Sequence, residues 1–157
     1  MVLVQLVYWL LFAVLVVGDQ AFKSYVTLNI APMSVHDFIP GLLSITHITN
    51  TGAAWSMLEG KMMFFYLVTI IAVVVLVYLF IKADKKDYLY RFSLIFLLAG
   101  TVGNAIDRFT RHFVVDMFNL DFINFPIFNL ADTYITIGVI LIIGSLIIQL
   151  AGEKNNK

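Results

Sequence analysis

MMFFYLVTIIAVVVLVYLFI, residues 62–81, is twenty residues long and holds no charged side chain. A helix needs about 20 apolar residues, at ~1.5 Å rise each, to cross the hydrocarbon core of a bilayer. This stretch meets that requirement by itself. Outward from it, three more apolar runs appear at 1–18, 92–106 and 134–151. Allowing for flanking residues, helices are expected at about 1–28, 62–81, 89–106 and 134–151, leaving polar segments at 29–61 and 107–133. The composition agrees: 61% hydrophobic, 13% charged and a mean hydropathy of +0.94, against about half apolar and about a quarter charged in an ordinary soluble domain. The chain therefore reads as a multi-span, all-α membrane protein.

The first span does not look like a cleaved leader. It has no basic leading region and no small-x-small cleavage site, and it runs directly into Asp19-Gln20. A retained anchor is expected. Cysteine is absent, which removes disulfides, thiolate catalysis and lipidation of the chain on cysteine. The formal net charge of zero hides an asymmetry. Loop 82–91 carries Lys82, Lys85, Lys86 and Arg91, and the tail adds Lys154 and Lys157. By the positive-inside rule this loop and both termini are cytoplasmic, and segments 29–61 and 107–133 lie outside.

Those two segments are too long for simple turns. Within 29–61, Leu43-Ser-Ile-Thr-His-Ile-Thr49 is β-branched and partly alternating, which predicts short strands in a small extramembrane sheet. Segment 107–133 has Phe109, Phe113, Phe118, Phe122, Phe125 and Phe128 and reads as an interfacial stretch at headgroup level. There is no internal repeat or low-complexity linker, so residues 1–157 are taken as one domain. In the third span, Ala99, Gly100 and Gly103 bring small residues together, as expected where helix backbones approach closely in lipid.

The polar motifs all fall at one end of an up–down–up–down bundle. Asp19-Gln20-Ala21-Phe22-Lys23 follows the first span, Asn50-Thr51-Gly52-Ala53-Ala54-Trp55 precedes the second, Gly103-Asn104-Ala105-Ile106-Asp107-Arg108 closes the third, and Phe128-Asn129-Leu130-Ala131-Asp132 opens the fourth. Ionisable groups at a membrane boundary are costly and tend to be functional. If the chain between Asp116 and Asp132 folds back, two carboxylates meet in a low-dielectric setting where both cannot ionise cheaply. Such a pair offers a base and an acid for water-driven amide hydrolysis. Each aspartate also has a plain structural reading: Asp132 as N-cap of the fourth helix, Asp116 as a solvated loop residue. Asp19 and Lys23, four apart on a helix, read either as a snorkelling ion pair or as a dock for a polar headgroup. Arg108 can grip a carbonyl or phosphate, or neutralise a nearby carboxylate. Asn50 and Gly52 mark a turn.

Other chemistries find little support. His36, His47 and His112 are dispersed without metal-ligand spacing, and there is no phosphate-binding glycine loop, no Gly-x-Ser-x-Gly elbow and no basic stripe for nucleic acid.

Taken in order, Asp19-Gln-x-x-Lys23, Asn50-Thr-Gly52-Ala-Ala-Trp55, Gly103-Asn104-x-Ile-Asp107-Arg108, Val114-Val115-Asp116 and Phe125-Pro-x-Phe-Asn129-x-Ala131-Asp132 resemble bacterial lipoprotein signal peptidase, the signal peptidase II family. The resemblance covers nearly the whole chain. It implies a membrane aspartic endopeptidase that removes the signal peptide from prolipoproteins, cleaving before a cysteine that carries a diacylglyceryl group. Asp116 and Asp132 match the family's catalytic dyad. Asn50, Gly52, Asn104, Arg108, Asn129 and Ala131 match residues around the substrate pocket, and Asp19 and Lys23 match a structural or binding pair. Segment 29–61 looks like the family's extracytoplasmic β-sheet cradle. The resemblance further implies a monomer that needs no metal or organic cofactor, works in contact with membrane lipid in the cytoplasmic (inner) membrane, and is inhibited by the cyclic peptide globomycin. Two departures stand out: Met117 follows Asp116 where the family often has Phe, and the N-terminus lacks Lys or Arg. Two rivals from other classes are a proton-coupled transporter using Asp19, Asp107 and Asp132 as a relay, and a non-catalytic assembly subunit.

Overall fold

A computed structural model describes residues 2–52 and 57–155. Ala53, Ala54 and Trp55 of the Asn50 motif lie outside the described residues. The elements run α1 (Val2–Asn29), β1 (Val35–Ile39), β2 (Leu43–Asn50), α2 (Met62–Lys82), α3 (Tyr88–Arg111), β3 (Val114–Leu120) and α4 (Leu130–Asn155). Four of these are helices long and apolar enough to cross a membrane.

α3 is the central helix. Over its most apolar window 56% of residues are buried, against 11% in each of the other three, so α1, α2 and α4 present most of their surface outward and pack on α3. Glycines permit this. A Cβ on Gly100 would run into the Ala131 carbonyl and Ile135, and one on Gly103 would sit 2.7 Å from Asp19 Oδ2 and 3.1 Å from Ala131 Cβ. The small-residue face of the third span is thus where α1 and the start of α4 come closest to it.

The sheet lies off the end of the bundle. Its order is β1-β2-β3, antiparallel throughout, with β2 in the middle. β2 matches the strand expected over 43–49. β3 does not match expectation: Val114–Leu120, assigned to a headgroup-level stretch, pairs along β2. Val115 and Met117 turn into a core with Val26 of α1, flanked by Phe22, Ile30 and Phe118. Burial of those side chains outweighs the interfacial preference of the phenylalanines, of which Phe109, Phe122 and Phe125 remain exposed. Met117 fills its place completely, as an unbranched side chain can.

Two other expectations change. α3 continues past 106 to Arg111, where His112 closes it in the left-handed conformation at φ 63°, so Asp107 and Arg108 are helical. Arg91, counted with the loop cations, is buried inside α3, over the Phe80 ring at 4.3 Å and bonded to Gln5 Oε1 at 2.9 Å.

Candidate active site

The chain folds back between the two aspartates. The Phe118 and Met117 amides both donate to the Phe128 carbonyl, at 2.8 and 3.0 Å, and the Phe128 amide returns to the Phe118 carbonyl at 3.1 Å. Asp116 on β3 is thereby brought to the start of α4. The plain structural reading of Asp116 fails, and that of Asp132 shifts from the N-cap to the first turn of α4. Asp116 is only 3% exposed, which no solvated loop residue would be. Asp132 is not the N-cap, because α4 begins at Leu130 and Asp132 is its third residue. Asn129 is the cap. Its Oδ1 accepts from the Asp132 amide at 2.9 Å while Asp132 Oδ2 accepts from the Asn129 amide at 3.2 Å, a reciprocal capping box.

Two asparagines join the carboxylates. Asn129 Nδ2 donates to Asp116 Oδ1 at 2.7 Å and to Asn104 Oδ1 at 3.1 Å, and Asn104 Nδ2 donates to Asp132 Oδ1 at 2.7 Å. The second oxygen of Asp116 accepts from Asn50 Nδ2 at 2.9 Å, and Asn50 Oδ1 is held by the Gly52 amide at 2.8 Å. Burial, and secondarily the negative charge of Asp132, push Asp116 up to about 7, against the opposing pull of the Asn50 and Asn129 bonds. Taking a carboxylate out of water is costly, and a second carboxylate nearby adds to the cost.

Behind the asparagines is a fully buried ionic cluster. Lys23 Nζ lies 2.9 Å from Asp19 Oδ2 and 3.1 Å from Asp107 Oδ2, and donates to Asn104 Oδ1 at 2.9 Å. None of the three charged side chains is exposed. The pair therefore does not snorkel, and it does not reach outward to a headgroup. Asp19 instead accepts from the Ala131 amide at 2.9 Å, which ties α1 to the first turn of α4, and Ala131 is wholly buried there, away from the cavity. Asp107 accepts from the Val115 amide at 3.2 Å, next to Asp116.

A cavity of about 580 Å³ opens beside the aspartates. Asn50, Gly52, Asn104, Arg108, Asp116 and Asp132 all line it, against a wall that includes Leu120, Phe125–Phe128 and Ile135–Ile137. Arg108 stands over the Phe65 ring at 4.9 Å. Among the described residues its guanidinium meets no hydrogen-bond acceptor, and the side chain lines the cavity. Sequence reasoning passed over Gln20, whose Nε2 reaches the Gly103 carbonyl at 3.0 Å and Asp107 Oδ1 at 3.3 Å, and it gave Asp107 a part only in the rival proton relay. The three-residue step from Asn104 to Asp107 on one helix face was the available signal. It could not reveal a partner as distant along the chain as Lys23.

Fold and site together define a multi-pass membrane protein with two acidic side chains in an apolar cavity at the end of its helices. A family model described as Signal peptidase (SPase) II matches residues 11–148. The lipoprotein signal peptidase of Enterococcus faecalis is 51% identical over 151 residues, 96% of this chain and 94% of that one. That of Latilactobacillus sakei is 48% identical over 145 residues, 92% and 96% of the two chains. A solved structure described as a bacterial membrane enzyme matches with a TM-score of 0.86 at 39% identity, over 96% of this chain and 91% of its own. A second such structure gives 0.83 at 40%, over 89% and 92%. The chain belongs to the signal peptidase II family, and it is a protease and a multi-pass bacterial membrane protein.

Proposed function

We propose that this enzyme removes the signal peptide from diacylglyceryl-modified prolipoproteins by aspartic-peptidase chemistry, with Asp116 and Asp132 as the catalytic pair. The observation that carries the reading is that both carboxylates line one cavity and are linked through Asn129 and Asn104. Asp116, raised to about 7, holds the proton of the pair. Asp132 takes a proton from a water whose oxygen attacks the scissile carbonyl, while Asp116 gives its proton to the carbonyl oxygen. As the tetrahedral intermediate collapses, Asp116 takes a proton back from one hydroxyl, the C–N bond breaks, and the proton on Asp132 passes to the leaving amine. Asn50 and Asn129 steady Asp116, Asn104 steadies Asp132, and Arg108 offers its guanidinium to a substrate carbonyl or headgroup oxygen. Gly52 keeps the rim low and orients Asn50. Asp19, Lys23 and Ala131 hold the helices that carry the site.

A diacylated substrate is anchored in lipid, and the apolar cavity wall suits its chains. Confinement of both partners to one layer removes much of the alignment cost of a bimolecular encounter. Lys82, Lys85, Lys86 and Lys154 lie at the end opposite the site, which favours cytoplasmic termini and an extracytoplasmic active site in the cytoplasmic membrane. The reading includes a monomer in contact with membrane lipid, and inhibition by globomycin through occupation of the cavity. Purified enzyme in detergent, given the same precursor with and without its diacylglyceryl group, tests it. Cleavage of the modified precursor alone, blocked by globomycin, is expected. Equal cleavage of both precursors, or of neither, contradicts it.

A further inference from the structure

Lys23 touches neither Asp116 nor Asp132, yet its contacts bear on the atoms that Asp132 faces. An ammonium only donates, so the Asn104 atom 2.9 Å from Lys23 Nζ is Oδ1. The amide group of Asn104 must then turn its NH₂ the other way, onto Asp132 Oδ1 at 2.7 Å. Asn129 obeys the same logic. The Asp132 backbone amide only donates, so it fixes Asn129 Oδ1 at 2.9 Å, and Asn129 Nδ2 is left to meet Asn104 Oδ1 and Asp116 Oδ1. With either amide reversed, two acceptors or two donors would face each other in a buried site, each left without its hydrogen bond.

We propose that Lys23 is a positioning residue for the aspartate pair: by holding Asn104 Oδ1 it sets the Asn104 half of an Asn104–Asn129 relay, so that Asp132 receives an N–H donor, while the Asp132 amide sets the Asn129 half that serves Asp116. The three-cornered Asp19–Lys23–Asp107 cluster holds the ammonium in place, at 2.9 and 3.1 Å. Asp107 also carries the Val115 amide at 3.2 Å, so one ion sets both the relay and the strand beside Asp116. This inference rests on the aspartic-peptidase reading above and adds how the pair is kept in register.

Asn104→Asp isolates the polarity. The new carboxylate keeps an acceptor toward Lys23 and gains an ion pair there, but presents an acceptor to Asp132 until it is protonated. Asp132 beside it favours its protonated form and the Lys23 ammonium opposes it, so the donor returns only when acid protonates the new carboxyl. The expected result is kcat about 100-fold below wild type at pH 8, recovering at pH 5, with KM for the diacylglyceryl precursor within about threefold. A companion variant, Lys23→Met with Asp19→Asn, removes one charge of each sign from the cluster. It should lose kcat at unchanged KM, and combined with Asn104→Asp it should lose little more, as coupled residues do. An Asn104→Asp pH profile that superimposes on wild type overturns the proposal, as does a companion variant that is folded and has wild-type kcat. If wild-type enzyme fails to cleave the precursor at all, the aspartic-peptidase reading fails instead.

Discussion

Asn129 and Asp132 cap each other at the start of α4, side chain to amide in both directions, at 2.9 and 3.2 Å. A helix-capping device and half of the aspartate pair are therefore the same residues. The amide group that Asn129 does not spend on the cap reaches Asp116 at 2.7 Å, so the start of α4 and the strand β3 are locked to each other through one side chain.

Asn129→Ala should lower both stability and turnover. Loss of an N-cap costs about 1 kcal/mol, and here Asp116 and Asn104 each lose a donor as well. Thermal unfolding in detergent should fall by a few degrees, and kcat by at least about 100-fold. Asn129→Asp should retain the cap and the melting temperature but still lose turnover at neutral pH, because it presents an acceptor to Asp116. Normal turnover by either variant would show that the relay does not serve the pair.

Turnover should fall as pH rises through about 7, the value at which Asp116 releases its proton. The same shift has a consequence for stability. Asp116 binds a proton more tightly in the folded than in the unfolded chain, so across the window from its ordinary value of 3.8 up to about 7 the folded state is progressively disfavoured. Asp116→Asn carries no such penalty. Its stability relative to wild type should increase between those limits and level off above them, read by thermal melts at several pH values. A difference that does not vary with pH would contradict the assignment.

Gly103→Ala tests the close approach of three helices. The new methyl would lie 2.7 Å from Asp19 Oδ2 and 3.1 Å from Ala131 Cβ. Asp19 cannot retreat without leaving Lys23 or the Ala131 amide. Overpacking of this kind costs about 1–3 kcal/mol, so the variant should melt lower and turn over slowly. Gly144→Ala, with open space around its Cβ position, should leave both unchanged.

Arg108→Lys should raise KM with less effect on kcat, since a lysine keeps the charge but loses the planar fork. Arg108→Gln should raise KM further. Kinetics with a diacylglyceryl-modified precursor distinguish this from a structural role, which would lower the melting temperature in both variants.

The helices were legible because lipid imposes a composition: residues 62–81 cannot be anything but apolar and remain a span. β2 was legible from the alternation in Leu43–Thr49. β3 was not, because Val114, Val115, Asp116 and Met117 are all buried, which erases alternation, and because the adjoining phenylalanines point to an interface. The motifs marked Asp116, Asp132, Asn104 and Asn129 as polar groups at one end of the bundle, which is where they lie. What they do to one another depended on donors and acceptors far apart in the chain. Lys23 looked like half of a local pair with Asp19. Its second and third partners, Asp107 and Asn104, come from α3, and nothing in the spacing of α1 reveals them. The cap was misplaced by one turn's logic: Thr133 opens the apolar run, so Asp132 looked like the boundary, although Asn129 followed three residues later by an acid is itself a capping-box pattern.

The most direct test of the account is cleavage of a diacylglyceryl-modified precursor by wild type, Asp116→Asn and Asp132→Asn, each confirmed as inserted and folded. Either substitution should reduce product formation by at least about 1,000-fold while substrate still binds. Turnover close to wild type in either variant would contradict the claim that these two carboxyl groups perform the hydrolysis.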